Sequence, residues 1–238
     1  MSFILDHDDL WHERKLEEQW LALQDNPQAG FAYSWLETID ETGASIRFYP
    51  KIWHSGRIYK KLLAQSFIHT ASNPLLRREA VITIGGFDEE IYGADDWDLL
   101  IRLSEKYDVI LSPNYHIRYR IVKGSGSANV TKLEQGATQV IEKAFRSAPK
   151  ELQPIKAVAL GRVYQYLCFR TLEEMAGRQS GLAAWRYLFL SRHHHASLWG
   201  RAPLSKALFK IVAVVVLPQF LAQSLVPWLV ARSRGVAN

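Results

Sequence analysis

Disulfide chemistry is absent from this chain. Its 238 residues contain one cysteine, Cys168, which has no partner for an internal bridge and so fits a reducing compartment. The first residues lack a basic start and a long apolar core, because Asp6, Asp8 and Asp9 arrive at once, so a secretory signal is not expected in this opening. Acidic residues are scarce late in the chain. Only 3 of the 24 Asp and Glu follow residue 149, against 12 of the 29 Lys and Arg. The formal charge of +5 is therefore the sum of a mildly acidic first part and a strongly basic, aromatic-rich second part. Such a basic segment suits an anionic membrane surface or a polyanionic lipid-linked substrate. No recognition motif for nucleic acid accompanies it, so nucleic acid is not an expected partner. Internal repeats and low-complexity runs are also missing. The apolar content of 48% is enough for one substantial domain and an appendage.

What is present begins at Phe3. The run Phe3-Ile4-Leu5 predicts a strand that delivers Asp6, Asp8 and Asp9 at its end, followed by a charged amphipathic helix over 13–23. Carboxylates crowded this way repel one another unless a cation or hydrogen bonds offset them. Hard divalent ions take oxygen ligands of this kind. A second block, 73–102, carries Arg77-Arg78-Glu79, Gly85-Gly86-Phe87-Asp88-Glu89 and Asp95-Asp96-Trp97-Asp98-Leu99, ending in Arg102. Gly85 and Gly86 suit a turn that a β-carbon would obstruct. Asp95 and Asp96 fall at the predicted start of a helix over 95–106.

Together these blocks resemble family 2 glycosyltransferases of the GT-A fold. The first resembles that family's Asp-x-Asp segment, with Leu5, Asp6, Asp8, Asp9, Trp11, Lys15, Leu16 and Gln19 in matching places. The second resembles its acceptor-side signature. The resemblance implies transfer of a sugar from a nucleotide-diphosphate donor to a glycan or lipid-linked acceptor, with inversion at the anomeric carbon. It implies Mn²⁺ or Mg²⁺ held by Asp8 and Asp6, and donor contacts from Asp6, Asp8, Asp9 and Arg120. Asp96 then corresponds to the catalytic base, with Asp95 beside it where the family usually has Glu. Trp11, Gly86, Phe87, Asp88, Trp97 and Arg102 correspond to substrate-contacting positions. A third segment, Tyr119-Arg120 before Gly124-Ser125-Gly126-Ser127, resembles a Tyr-Arg-x-His stretch in which Val122 replaces the histidine. His116 shares a strand face with Val122 by parity and is either a replacement ligand or a structural histidine. Arg118 and Arg120 lie on that face as candidate phosphate contacts.

The expected fold class is α/β: the second half of a GT-A-type, Rossmann-like domain over 1–148, then a helical, membrane-associated region over 149–238. The resemblance places about a hundred residues before the Asp-x-Asp strand of a complete domain, a β/α half that cradles the nucleotide. Three readings follow: a fragment, a second chain supplying the missing half, or a catalytically incomplete acceptor-binding module. Strands are expected over 31–39 and 45–49 around an Asp40–Gly43 turn, and again over 109–111 and 116–122; helices over 59–67, 79–84, 132–146, 155–175 and 182–192. Residues 211–231 carry no charge and are long enough to cross a bilayer, but Pro218, Pro227, Gln219 and Gln223 leave interfacial and buried readings open beside a spanning one. Attachment at the cytoplasmic face is the expected localisation. His193-His194-His195 diverges around a helix and is not expected to bind metal. A calcium loop starting at Asp6 fails because Leu10 and Trp11 occupy positions that need an oxygen donor and a glycine.

Overall fold

The computed structural model describes residues 1–122, 129–174 and 178–216. Its first part is built on a strand buried along almost its whole length, β2 (Ala29–Ile39). Such a near-continuous apolar run marks a strand covered on both faces. β2 runs parallel to the long strand β5 (Asp108–Arg120) and antiparallel to β3 (Ser45–Phe48), to which the Asp40–Gly43 turn connects it. A two-residue strand β1 (Leu10–Trp11) covers the other edge of β5, and β4 (Leu75–Leu76) pairs with the beginning of β2.

Helix α1 (Lys15–Gln24) packs on β2 and β5. Short helices α2 (Tyr59–Ala64) and α3 (Arg78–Thr83) precede α4 (Asp95–Lys106). The main core gathers Phe31 and Tyr33 of β2, Leu62 and Leu63 of α2, and Trp97, Leu100 and Leu103 of α4. Helices α5 (Val130–Ser147) and α6 (Ile155–Glu174) extend it, with Val140, Ile141 and Ala159 buried there. A second apolar cluster joins α6 to α7 (Arg178–His195) and α8 (Arg201–Val216) through Leu167, Leu172, Leu188, Ala207 and Ile211.

Two expectations are corrected. Phe3–Leu5 is not a strand; a single bridge from Ser2 to Leu76 is the only sheet contact there, and Phe3 and Leu5 stand exposed. The two short strands expected at 109–111 and 116–122 are one strand, β5. It continues because a bulge absorbs Pro113, which has no N–H to donate: Ser34 pairs with Ser112, but Trp35 pairs with Tyr115. Among the described residues no helix is long and apolar enough to cross a membrane. Of the uncharged stretch 211–231, residues 211–216 belong to α8 and the remainder lies outside the described residues, as does the Gly124–Ser127 run.

Helix α5 fixes the loop that leads into α4. Gly136 lies so close to the main chain of Tyr92 and Gly93 that a β-carbon at this position would overlap the Tyr92 carbonyl oxygen. Replacing Gly136 by Ala is expected to cost about 1–3 kcal/mol through this overlap. Denaturant titration of the variant against the wild type measures the loss.

Candidate functional site

Asp6 to Asp9 form a turn closed by the Asp9 amide donating to the Asp6 carbonyl (3.2 Å). Thr70 and Ser72, more than sixty positions away, hold that turn. The Asp6 amide donates to Ser72 Oγ (3.0 Å), and Thr70 Oγ1 donates to Asp9 Oδ2 (3.2 Å) and more weakly to Asp6 Oδ2 (3.4 Å). Asp9 is buried and also accepts from the Arg120 amide (3.0 Å); burial pushes its carboxyl above the ordinary range. Asp9 thus faces the protein. Asp6 and Asp8 keep partly open side chains.

Below the turn sits a buried polar network. Lys15 is fully buried, donates to Gln19 Oε1 (2.9 Å) and lies 4.0 Å over the Trp11 ring, and burial lowers its ammonium to about 7. Gln19 donates to the Asn73 carbonyl (3.1 Å), and Trp11 Nε1 donates to the Ser72 carbonyl (2.9 Å). His69, immediately before Thr70, holds a left-handed φ of +72°. Backbone of this kind at a non-glycine residue stores roughly 1–3 kcal/mol and collects at functional sites.

The second acidic block meets this turn at the start of α4. Asp96 accepts from the Trp97 amide (2.7 Å). Its carboxyl is pushed up to about 6, first by burial and then by the nearby charges of Asp95 and Asp6. Asp6 and Asp96, ninety positions apart in sequence, therefore share one electrostatic neighbourhood. Asp95 lies beside Asp96 on the first turn of α4.

The remaining predicted site residues divide. Gly86, at φ +72°, and Phe87, 38% exposed, form the open turn before α4. Trp97 is not at the site surface: one helical step inward from Asp96, it is buried in the main core with Nε1 donating to the Leu62 carbonyl (2.9 Å). Asp88 and Arg102 belong to a brace. Lys143 of α5 bridges Asp88 (2.6 Å) and buried Asp98 (2.8 Å), while Arg102 pairs with Asp98 (2.7 Å) and donates to the Ile84 carbonyl (2.9 Å). Arg102 Nη2 is buried without a protein partner, so a substrate contact by this residue rests on that nitrogen.

Arg120 donates to the carbonyls of Asp8 (2.8 Å), Asp40 (2.9 Å) and Glu41 (3.0 Å), tying the acidic turn to the β2–β3 hairpin. Arg118 pairs with Glu37 (2.8 Å) and donates to the Gly43 carbonyl (2.8 Å). Both guanidinium groups are largely engaged by the protein. His116 is a buried histidine whose Nε2 lies 2.9 Å from Glu18, and burial lowers its pKa. Its neighbours Glu18, Ser112 and His12 all lie outside the acidic turn, which places it in a structural position. Thr70, Ser72 and the Lys143 brace were missed from sequence, because hydrogen bonds across such separations leave no spacing signal.

A divalent ion would find carboxylate oxygens at this turn, the hard donors that Mg²⁺ and Mn²⁺ prefer. No group of three or more His, Cys, Asp or Glu side chains is arranged to hold a metal among the described residues. Asp6 and Asp8 fit as the one or two carboxylates with which such ions commonly combine substrate phosphates and water.

A mixed α/β unit, with acids converging from a turn and a helix start, is consistent with a GT-A-like domain of the glycosyltransferase class. Residues 1–171 match the family described as glycosyltransferase-like family 2, and the chain belongs to that family. It is also similar to an uncharacterized glycosyltransferase of Methanocaldococcus jannaschii, 26% identical over 121 residues, which is 50% of this chain and 41% of that protein. The chain thus matches about two fifths of the length of this curated relative.

Breaking the brace separates its structural contribution from any ligand contact. Arg102→Met removes one of two cations from buried Asp98 and is expected to destabilise the fold by about 2–4 kcal/mol. Chemical denaturation without ligand reads this directly. An unchanged midpoint would assign Arg102 to ligand alone.

Proposed function

We propose that this chain transfers a sugar from a nucleotide-diphosphate donor to the hydroxyl of a glycan or lipid-linked acceptor. The convergence of Asp6 with Asp96 carries this reading, because it unites the leaving-group side and the acceptor side of such a reaction. Asp96 takes the proton of the acceptor hydroxyl as that oxygen attacks the anomeric carbon. The bond from that carbon to the diphosphate oxygen breaks with inversion. A carboxylate whose pKa lies near 6 is suited to accept a proton near neutral pH. Mg²⁺ or Mn²⁺, when bound by Asp6 and Asp8, supplies neutralisation of the diphosphate charge. Phe87 and Gly86 border the acceptor, while Trp11 supports the turn from behind. The single cysteine and the use of nucleotide sugars support action at the cytoplasmic face of a membrane. The relation of residues 1–148 to 149–238 is proposed as a catalytic unit and a helical appendage.

Mn²⁺-dependent binding of a panel of nucleoside diphosphates tests the donor side. Wild-type protein is expected to bind, and Asp8→Asn to lose about tenfold or more in metal-dependent affinity. Absence of binding in well-folded wild-type protein would reduce the chain to an acceptor-binding module. Asp96→Asn is expected to abolish transfer while sparing nucleotide binding; simultaneous loss of both would refute its assignment as base.

The raised pKa of Asp96 also has a stability signature. Burial favours its neutral form, so its contribution is fully present below the ordinary value of 3.8 and is lost as pH rises through about 6. In metal-free protein, Asp96→Asn is therefore expected to be more stable than wild type above pH ~6, by roughly 1–3 kcal/mol, and equal to it near pH ~4. Thermal melts across this range provide the check.

A further inference from the structure

Helices α7 and α8 expose large apolar side chains that nothing in the chain covers among the described residues. On α7 these are Leu182, Trp185 (53% exposed) and Phe189 (65%); on α8 they are Phe209, Val212 and Val216 (71%). Each set follows the spacing of one helix face. The opposite faces are committed to packing, through Ala184, Tyr187 and Leu188 on α7 and Ala207, Ile211 and Val214 on α8. Gly181 near the start of α7 lies against Val214 and Val215 near the end of α8, so the two helices run antiparallel. That register runs the Leu182–Phe189 stretch of α7 alongside the second half of α8.

Charge identifies the occupant. The two helices contain six Lys and Arg and no Asp or Glu, and no acidic residue follows Glu174 in the whole sequence. A second copy of the chain would bring the same positive charge against itself, which opposes self-association through this face. An anionic lipid surface supplies the opposite charge, and its acyl boundary accepts Trp, Phe and Leu side chains beside Lys and Arg. The sequence after Val216 stays uncharged as far as Arg232.

We propose that the exposed apolar stripes of α7 and α8, with their surrounding cations, form a docking face for an anionic lipid bilayer. The face is separate from the acidic turn, and its argument does not depend on the role assigned to Asp96. Docking there would hold the catalytic unit next to the headgroups, where a lipid-linked acceptor presents its hydroxyl.

Vesicle co-sedimentation with the full chain tests this. Neutral phosphatidylcholine vesicles are compared with vesicles containing phosphatidylglycerol, for wild type, for Trp185→Glu/Phe189→Glu and for Phe209→Glu. Wild type is expected to bind the anionic vesicles, with affinity falling as salt rises, and each variant to bind about tenfold more weakly or worse. Circular dichroism melts of these exposed-site variants are expected to match wild type, and Mn²⁺-dependent nucleotide binding to stay intact. Equal binding to neutral and anionic vesicles, unchanged binding by the variants, or a wild-type dimer that the variants disperse on light scattering would each overturn the proposal.

Discussion

The side-chain amide of Asn73 is the contact on which the arrangement of the acids depends. It is fully buried. β4 pairs antiparallel with β2, Leu76 opposite Phe31 and Leu75 opposite Ala32, and the same register brings position 73 opposite Ser34. Pro74 intervenes and has no N–H, so the side chain takes over the pairing. Asn73 Oδ1 accepts from the Ser34 amide (2.9 Å), and Nδ2 donates to the Ser34 carbonyl (2.8 Å). An amide group thus stands in for a peptide bond in the ladder. The preceding residues are released from the sheet to curl toward the acidic turn, where Ser72 and Thr70 meet Asp6 and Asp9. The main-chain carbonyl of Asn73 is also engaged, by Gln19 of α1. Buried polar groups of this kind are costly unless fully paired, and here all of the amide's partners are protein.

Electrostatic outcomes differ sharply for acids a few residues apart. Asp98 is buried, but Arg102 and Lys143 bracket its carboxylate, so its charge is offset by two cations. Asp96, two positions earlier, has a main-chain amide and two acidic neighbours instead, and burial dominates. About half a helix turn thus separates an acid that anchors the fold from an acid whose carboxyl is pushed up to about 6. The brace through Lys143 also ties α5 to the Gly85–Glu89 turn, so the last helix of the first part helps to set the geometry of that turn.

Local signals were legible in the sequence. The helix 95–106 was readable to the residue because acids crowd its start and its apolar positions follow one stripe. The Asp40–Gly43 turn was readable from its Asp and Gly. The Phe3–Leu5 strand was misread because a short apolar run looks the same whether it is paired or exposed. The two-strand reading of 109–122 failed because Pro113 suggests a break, whereas a bulge absorbs it. At the site, the acids were found from their spacing and their family resemblance. An aromatic beside an acid reads as a substrate contact, but Trp97 also belongs to the apolar stripe of α4, and that stripe turns it inward. Arg120 reads from sequence as a cation next to acids; two of its three carbonyl partners, Asp40 and Glu41, belong to a distant hairpin, which no local pattern reveals.

That arginine has a mechanical consequence. A single guanidinium grips the carbonyl of Asp8 on one side and those of Asp40 and Glu41 on the other. The tip of the hairpin and the Asp8 end of the acidic turn are therefore fastened to one rivet. Neither can travel far alone: a push on the exposed hairpin is passed through Arg120 to Asp8, and a pull on Asp8 is felt at the hairpin tip.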